Sequence, residues 1–314
     1  MAAFTTLPIE IQHMVLEVSD FATLRSLALV SKSMRPGANR FLYRELFWGP
    51  QGHITAWSCK TVQQLLRSLI EHPQLASLVK HVNLDLDYEY NFIEQDTHLE
   101  DWEPVDSDPQ ITELGRKLVD RLGLENPKSW YSRLKWTYMD NWIALLLAQL
   151  ETMETLKLGP SLLHKSTKIS AVFGRLIYPG SPHFRRLGHA CFGENAQGFE
   201  MAGLDFGDAM VVSLFYLPSL QELDLTIDFP AVKYWDIKEP SHSLRTLRLW
   251  RCNIFTPDDV DRLLTVAPAL ETLHLGWNED IEMFEDNDRF DFANLLPSLG
   301  RISNTLEDST IDVR

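Results

Sequence analysis

A leucine pattern is clearest in Ser243-Leu244-Arg245-Thr246-Leu247-Arg248-Leu249-Trp250-Arg251-Cys252-Asn253-Ile254. Its leucines follow the order Leu-x-x-Leu-x-Leu, and an apolar isoleucine closes the stretch. Two further copies of the same leucine pattern begin at Leu220 and Leu270, so the copies start 24 and 26 residues apart. One such copy is common by chance. Three copies at a regular spacing predict a repeat array.

Each copy predicts a short strand whose alternate leucines point into a core, with a helix covering them from outside. Pro218 and Pro268 stand just before the strands of two copies, where they separate helix from strand. Units of this kind stack with right-handed connections. We therefore predict an α/β fold in which residues 60–314 form a right-handed leucine-rich-repeat solenoid with a curved parallel sheet. The alternative is a generic α/β domain with leucine-rich strands.

Weaker copies extend the pattern in both directions. Leu75 and Met153 begin two of them, each behind an apolar stretch with helical periodicity. Degenerate copies begin at Phe184 and Leu299. The array therefore extends well beyond the three best copies.

An acidic insertion at about 85–108 interrupts the array. It holds ten acidic residues and neither Lys nor Arg. Four aromatic residues are interleaved with these charges, namely Tyr88, Tyr90, Phe92 and Trp102. The insertion is either an acidic-aromatic patch for a basic partner or, as we favour, a solvated surface loop. A second acidic stretch at 279–288 lacks the central glycine of a calcium loop and predicts a solvated turn.

A different pattern occupies residues 4–48. Leu7-Pro8-Ile9-Glu10-Ile11 begins an amphipathic helix, and Asp20 is the expected N-cap of a second, leucine-rich helix. A third helix is expected to start near Pro36 and to run to Leu46. Three short helices bury little surface among themselves, and this segment has no cysteine or cluster of metal ligands. A partner or the rest of the chain must therefore cover them.

The order of these residues resembles the F-box, which begins Leu-Pro-x-Glu-Ile, continues with a helix ending Leu-Val-Ser-Lys and closes Ala-x-x-x-Leu-Tyr-Arg. The closing element is Ala38 to Arg44 here, although Pro36-Gly37 departs from a regular helix. The sequence looks most like F-box proteins of filamentous fungi, which often carry a C-terminal leucine-rich-repeat array. The resemblance implies docking onto a Skp-type adaptor and, through it, onto a cullin. The adaptor-binding residues that it implies are Leu7, Pro8, Ile11, Leu24, Leu27 and Val30.

Residues between the inward leucines of a repeat strand face outward, because side chains alternate with a period of two. Five such residues are predicted to bind a target protein, namely Glu222, Asp224, Arg248, Trp250 and His274. We expect Asp224, Arg248 and His274 to form one lateral row. The alternative is that Asp224 and Arg248 only pair with each other and that Trp250 packs on a loop.

Composition excludes several classes of function. The chain has 29 Lys and Arg against 44 Asp and Glu, and its charge of −15 repels phosphate backbones and anionic lipids. We therefore expect neither a nucleic-acid nor a membrane partner. Three cysteines, Cys59, Cys191 and Cys252, suit a reducing compartment. No secretory signal is expected, which favours a cytoplasmic or nuclear location.

No motif for catalysis occurs in the sequence. The phosphate loop, the nucleophile elbow and the zinc-binding His-Glu-x-x-His pattern are all missing. We predict no enzyme activity, no cofactor and no metal site.

Two functions remain open. In the first, the protein is a non-catalytic substrate receptor: its F-box docks on the adaptor, and its repeats present a target protein for ubiquitination. In the second, it is a leucine-rich-repeat interaction scaffold whose N-terminal helices only cap the solenoid. The two differ in whether the apolar stripe of residues 7–30 is free for a partner or buried by the repeats.

Overall fold

A computed structural model describes residues 7–48, 59–84, 108–135, 139–159, 162, 167–178, 181–193, 208–226, 241–252, 257–277 and 296–313. These residues form twelve α-helices and eight β-strands. All eight strands belong to one sheet. The predicted α/β class is therefore confirmed.

The strands lie side by side in the order in which they occur along the chain, and every neighbouring pair is parallel. They are β1 Glu45–Trp48, β2 His81–Leu84, β3 Thr155–Leu158, β4 His189–Phe192, β5 Glu222–Thr226, β6 Thr246–Cys252, β7 Thr272–Trp277 and β8 Asp308–Val313. Neighbouring parallel strands need a crossover that returns the chain to the same edge of the sheet. This topology places the carboxyl ends of all eight strands along one edge.

Three helices precede the sheet, namely α1 Ile9–Glu17, α2 Phe21–Val30 and α3 Arg35–Leu42. The others lie between strands: α4 Cys59–Glu71, α5 Pro73–Ala76, α6 Pro109–Leu122, α7 Pro127–Lys135, α8 Met139–Leu147, α9 Thr167–Leu176, α10 Asp208–Leu214, α11 Pro257–Val266 and α12 Leu296–Gly300. Proline is the first residue of α5, α6, α7 and α11. It suits that position because it has its helical φ preset and the N–H that it lacks would have no helical partner.

The core lies on one face of the sheet. Leu223, Leu247 and Leu273 are register partners on β5, β6 and β7, and all three are buried. Equivalent buried positions on β1 to β4 join them in one continuous apolar cluster that extends from Leu46 to Ile302. The three best sequence copies thus give three equivalent strands. Of the degenerate copies, one precedes β4, and the other includes part of α12 ahead of β8.

The first strand begins earlier than the sequence pattern predicts. Helix α3 ends at Leu42, and Leu46 lies on β1 instead of in a helix that continues to it. The carbonyl oxygen of Arg44 accepts hydrogen bonds from the backbone N–H groups of Lys80 and His81, at 2.8 and 3.0 Å. The backbone therefore pairs with the sheet from Arg44 onwards. The last residues of the range 4–48, which we predicted to be helical, are thus part of the sheet.

The helix starts of the N-terminal segment agree with the sequence pattern. Asp20 caps α2, because its carboxylate accepts a hydrogen bond from the Thr23 N–H at 2.7 Å. Helix α3 starts at Arg35 with Pro36 in its first turn. A Cβ atom on Gly37 would lie 3.0 Å from Leu16 Cδ1. Glycine at this position therefore allows α3 to approach α1 closely.

The acidic stretches fall almost entirely outside the described residues. Of the insertion at 85–108, only Asp108 is described, and its carboxylate caps α6 by accepting from the Gln110 N–H at 2.9 Å. The stretch 279–288 also lies outside them. Both interpretations of the insertion therefore remain predictions.

Candidate interaction surfaces

Helices α1, α2 and α3 have a small core of their own. It consists of Leu16, Leu24, Ala28 and Ala38, and it is separate from the large cluster on the sheet. Leu27, Phe41 and Leu42 are half-buried against it. We call these three helices the helical module. Only Tyr43 and Arg44 separate the module from β1, so its position is tied directly to the first strand.

The outer side of the helical module is unusually apolar. Nine of the thirteen large exposed apolar side chains among the described residues lie on it. They are Leu7, Ile9, Ile11, Met14, Val15, Val18, Phe21, Leu29 and Val30, and we call this set of exposed side chains the apolar docking face. Concentrated apolar surface on a protein in water indicates an interaction site, whereas isolated exposed apolar residues do not.

The six predicted adaptor-binding residues divide between the surface and the module core. Leu7, Pro8, Ile11 and Val30 are exposed, and Leu27 is half-buried. Leu24 is only 6% exposed and belongs to the module core. It packs there with Leu16, Ala28 and Ala38, and its role in adaptor binding stays a prediction.

Six members of the apolar docking face are not among the predicted adaptor-binding residues, namely Ile9, Met14, Val15, Val18, Phe21 and Leu29. Leu29 is 70% exposed, although it stands between Ala28 and Val30 in a continuous apolar run. The available signal was that run itself, because a short helix that is apolar on several sides cannot bury all of them in a three-helix core.

The second surface is the polar face of the sheet, which carries the alternate side chains of the strands. His189 on β4 is the register partner of Glu222 on β5, and Asp224 is the register partner of Arg248 on β6. Arg248 Nη1 lies 3.1 Å from Asp224 Oδ1 and 3.7 Å from Glu222 Oε2. His189 lies 3.7 Å from Glu222 Oε2 and 3.6 Å from Asp224 Oδ2. These four residues form one polar cluster that joins three strands.

Asp224 is the most enclosed carboxylate of this cluster. Its burial favours the neutral acid, but the nearby His189 ring and the hydrogen bonds that the carboxylate accepts from Arg248 outweigh burial and lower the pKa of Asp224 below its ordinary value. The carboxylate is therefore ionised at neutral pH and holds Arg248 in place.

The predicted lateral row is present. Arg248 is the register partner of both Asp224 and His274, and the ring centroids of Trp250 and His274 lie 4.1 Å apart at 44°. Asp224 and Arg248 do pair, as one of the two interpretations of this face requires. Trp250 contacts the His274 ring, and both side chains are partly accessible. The sequence did not indicate His189, because it follows a degenerate copy of the repeat.

A buried polar cluster lies on the helical side of the sheet. Burial raises the pKa of Asp140 in α8, and its nearest cationic group is Arg133 Nη1 at 3.7 Å. Lys168 in α9 extends over the Trp130 ring, 4.8 Å from its centroid, and donates to Ser129 Oγ at 3.2 Å. Burial lowers the pKa of Lys168. Each charge thus has a partner that accounts for its position in the helical layer.

The structure offers no evident reactive centre among the residues that it describes. Burial raises the pKa of the Cys59 thiol to about 12, so this thiol is protonated at neutral pH and is a poor nucleophile. Within the same residues, no group of three or more His, Cys, Asp or Glu side chains could hold a metal ion. Nor does any described helix combine the length and the apolar composition needed to cross a bilayer.

Comparison with known proteins gives no independent assignment. No family model matches the chain, and no curated protein matches it. The apolar docking face and the polar face of the sheet are therefore the two surfaces on which a functional assignment depends.

Proposed function

We propose that this protein is a substrate receptor of a Skp–cullin–F-box ubiquitin ligase. In this proposal the helical module is the F-box, and its apolar docking face binds the Skp-type adaptor. The sheet and its helices are a leucine-rich-repeat solenoid whose polar face binds the target protein. The observation that carries the proposal is an exposed apolar surface on a module that has a core of its own.

The location of exposed apolar surface separates this proposal from the scaffold alternative. A module that only capped the solenoid would turn its apolar side toward the repeats. Ile9, Met14 and Leu29 instead have more than half of their surface exposed, and the module core does not merge with that of the sheet. Leaving so much apolar surface in water is unfavourable, at about 25 cal/mol per Å², unless a partner covers it.

The proposed function requires no chemistry from the chain itself. A receptor of this kind holds a target close to the ubiquitin carried by the rest of the ligase, which raises the effective concentration of the target lysines. The short connection through Tyr43 and Arg44 supports this role, because it limits how far the helical module can move relative to the strands that would hold the target. Such a receptor would act in the cytoplasm or the nucleus, where these ligases operate.

The direct test is capture by a purified fungal Skp-type adaptor, alone and with a cullin present. We expect the wild-type chain to bind and the double variant Leu7→Ala with Pro8→Ala to lose capture. Leu29→Ala should weaken capture about tenfold or more, as truncation of a buried interface anchor usually does.

A matched control is available on the opposite end of the sheet. Leu296 in α12 is 68% exposed and Leu29 is 70% exposed, so Leu296→Ala removes the same side chain from an equally accessible place. Leu296→Ala should leave capture unchanged. Undiminished capture by the Leu7→Ala, Pro8→Ala variant at equal solubility would refute the adaptor assignment, and equal losses for Leu29→Ala and Leu296→Ala would show that the interaction is non-specific.

A further inference from the structure

The polar face of β5–β8 is acidic. Among the side chains described there, four carboxylates, Glu222, Asp224, Asp308 and Asp312, accompany a single guanidinium, that of Arg248. The neighbouring positions Thr246, Thr272, His274 and Thr310 add neither a carboxylate nor a Lys or Arg side chain. This part of the face therefore has an excess of negative charge, which attracts cationic groups of a partner.

Glu222 is placed to receive such a cation. The two nearest nitrogens, His189 Nδ1 and Arg248 Nη1, both lie 3.7 Å from Glu222 Oε2, beyond hydrogen-bond distance. Both groups therefore attract the carboxylate, but neither donates a hydrogen bond to it, and it can still accept hydrogen bonds from a ligand. Its side chain is 45% exposed, so a ligand can reach it from solvent.

A second carboxylate lies at a defined distance along the same row. Consecutive register partners across the sheet are Glu222, Thr246, Thr272 and Asp308. Neighbouring strands are about 4.8 Å apart, so the backbone positions of Glu222 and Asp308 are about 14 Å apart. An extended chain covers about 13 Å in four residues, and residues four apart have their side chains on the same side. The two short threonines between the acids leave room for such a chain.

The His274 ring lies two residues beyond Thr272 on β7, and the Trp250 ring lies four residues beyond Thr246 on β6. Trp250 is partly accessible, and its indole is held by the His274 ring at 4.1 Å. A partly accessible aromatic ring on an acidic face favours basic side chains, because the ring face attracts a cation and the aliphatic stem packs on it. Charge, spacing and aromatic surface thus favour the same kind of ligand.

We infer that the polar face of β5–β8 binds an extended basic segment, with one Lys or Arg side chain at Glu222 and a second, four residues away, at Asp308. This inference rests on the proposed function in one respect only, in that it makes the basic segment part of the target protein.

The test uses the full chain and a fluorescein-labelled peptide, Gly-Lys-Thr-Thr-Thr-Lys-Gly, in an anisotropy titration at low salt. A second peptide with Gln in place of both Lys residues has the same length and keeps side-chain N–H donors at both positions, but it lacks the positive charges. We expect saturable binding of the lysine peptide only. Glu222→Gln should weaken it about tenfold, as expected for the loss of one charge-assisted contact, and Asp308→Asn should have a similar effect.

The matched control is Glu113→Gln on α6. Glu113 is 54% exposed and has one Arg116 nitrogen 3.8 Å away, so it resembles Glu222 in exposure and pairing but lies on a helix. The Glu113→Gln substitution changes the net charge of the protein by the same amount as Glu222→Gln does, and it should leave peptide affinity unchanged. Thermal unfolding of each variant shows whether the fold is retained.

Two outcomes overturn the inference: no saturable binding of the lysine peptide, or equal losses for Glu222→Gln and Glu113→Gln, which would show an effect of net charge alone. Adaptor capture is measured on the same preparations. If the peptide binds but the adaptor does not, the proposed function fails and the basic-segment surface stands. If the adaptor binds but the peptide does not, the inference about the basic segment fails and the proposed function stands.

Discussion

Arg248 on β6 donates hydrogen bonds from a single nitrogen, Nη1, to both carboxylate oxygens of Asp224 on β5, at 3.1 and 3.4 Å. The two residues are register partners. On the opposite face of the sheet, the same two strands are joined by Leu223 with Leu247 and by Leu225 with Leu249. The strands are therefore held together by a charged pair on the polar face and by apolar packing on the core face.

The first prediction concerns the strength of this pair. Arg248→Ala should lower the free energy of unfolding by about 1–3 kcal/mol at neutral pH, because it removes the cation that compensates the partly buried Asp224 carboxylate. The double variant Asp224→Ala with Arg248→Ala should cost less than the sum of the two single changes. Urea unfolding of the four proteins gives the coupling energy, for which we expect about 1 kcal/mol. Strict additivity would show that the pair contributes nothing.

The second prediction concerns the pH dependence of stability. The pKa of Asp224 is lowered in the folded protein from an ordinary value of 3.8. Its carboxylate therefore stabilises the fold above that ordinary pKa, and this contribution is lost as the pH falls through the lower folded pKa. Asp224→Asn should flatten the decline in unfolding free energy below about pH 4, measured by urea unfolding at a series of pH values.

Asp140 provides a control of opposite sign. Burial raises the pKa of Asp140 in the folded protein, although Arg133 partly opposes the shift. Protonation of this group on acidification should therefore favour the folded state as the pH falls from above the raised pKa toward the ordinary one. Asp140→Asn should remove that acid-side gain. If both substitutions change the pH profile in the same direction, the assigned environments of these carboxylates are wrong.

The strand array could be predicted from sequence because its buried leucines recur at the same positions of each repeat. Leu223, Leu247 and Leu273 recur with the same neighbours, and their inward direction follows from the period of two. Strand β1 could not be predicted in the same way. It has four residues and directly follows a helix, and its conformation depends on pairing with β2, which is distant in sequence.

The candidate surfaces show a similar division. The apolar character of α1 and α2 is evident from sequence, but the direction of each side chain is not, because both sides of these helices are apolar. Leu24 and Leu29 lie five residues apart on α2, yet Leu24 is in the module core and Leu29 is on the surface. On the sheet, the repeat spacing predicts that Asp224 and Arg248 are neighbours. The position of His189 beside them could be known only from the register of β4 against β5.

The third prediction separates those two leucines. Leu24→Ala should destabilise the helical module by about 2–4 kcal/mol, since it empties a large part of a core made of four buried residues. Leu29→Ala should change stability by no more than about 0.5 kcal/mol, because its side chain is already in solvent. Hydrogen exchange of the α1–α3 amides measures both effects, with the sheet amides of the same sample as reference. Equal protection losses in the module and the sheet would contradict the separation of their cores.

The last prediction tests whether damage to the sheet leaves the helical module intact. Leu247 is fully buried between Leu223 and Leu273, so Leu247→Asp places an unpaired carboxylate in the apolar core at a cost of several kcal/mol. In a stacked array, damage spreads mainly to adjacent units, and we expect residues from about 217 to 314 to lose hydrogen-exchange protection first. Capture by the adaptor should survive, because the module has a separate core.

Leu296→Asp, the same substitution at an exposed leucine, should leave both protection and capture unchanged. Loss of capture together with the strands in Leu247→Asp would mean that the chain unfolds as one cooperative unit, in which case the target-binding and adaptor-binding parts are not separable.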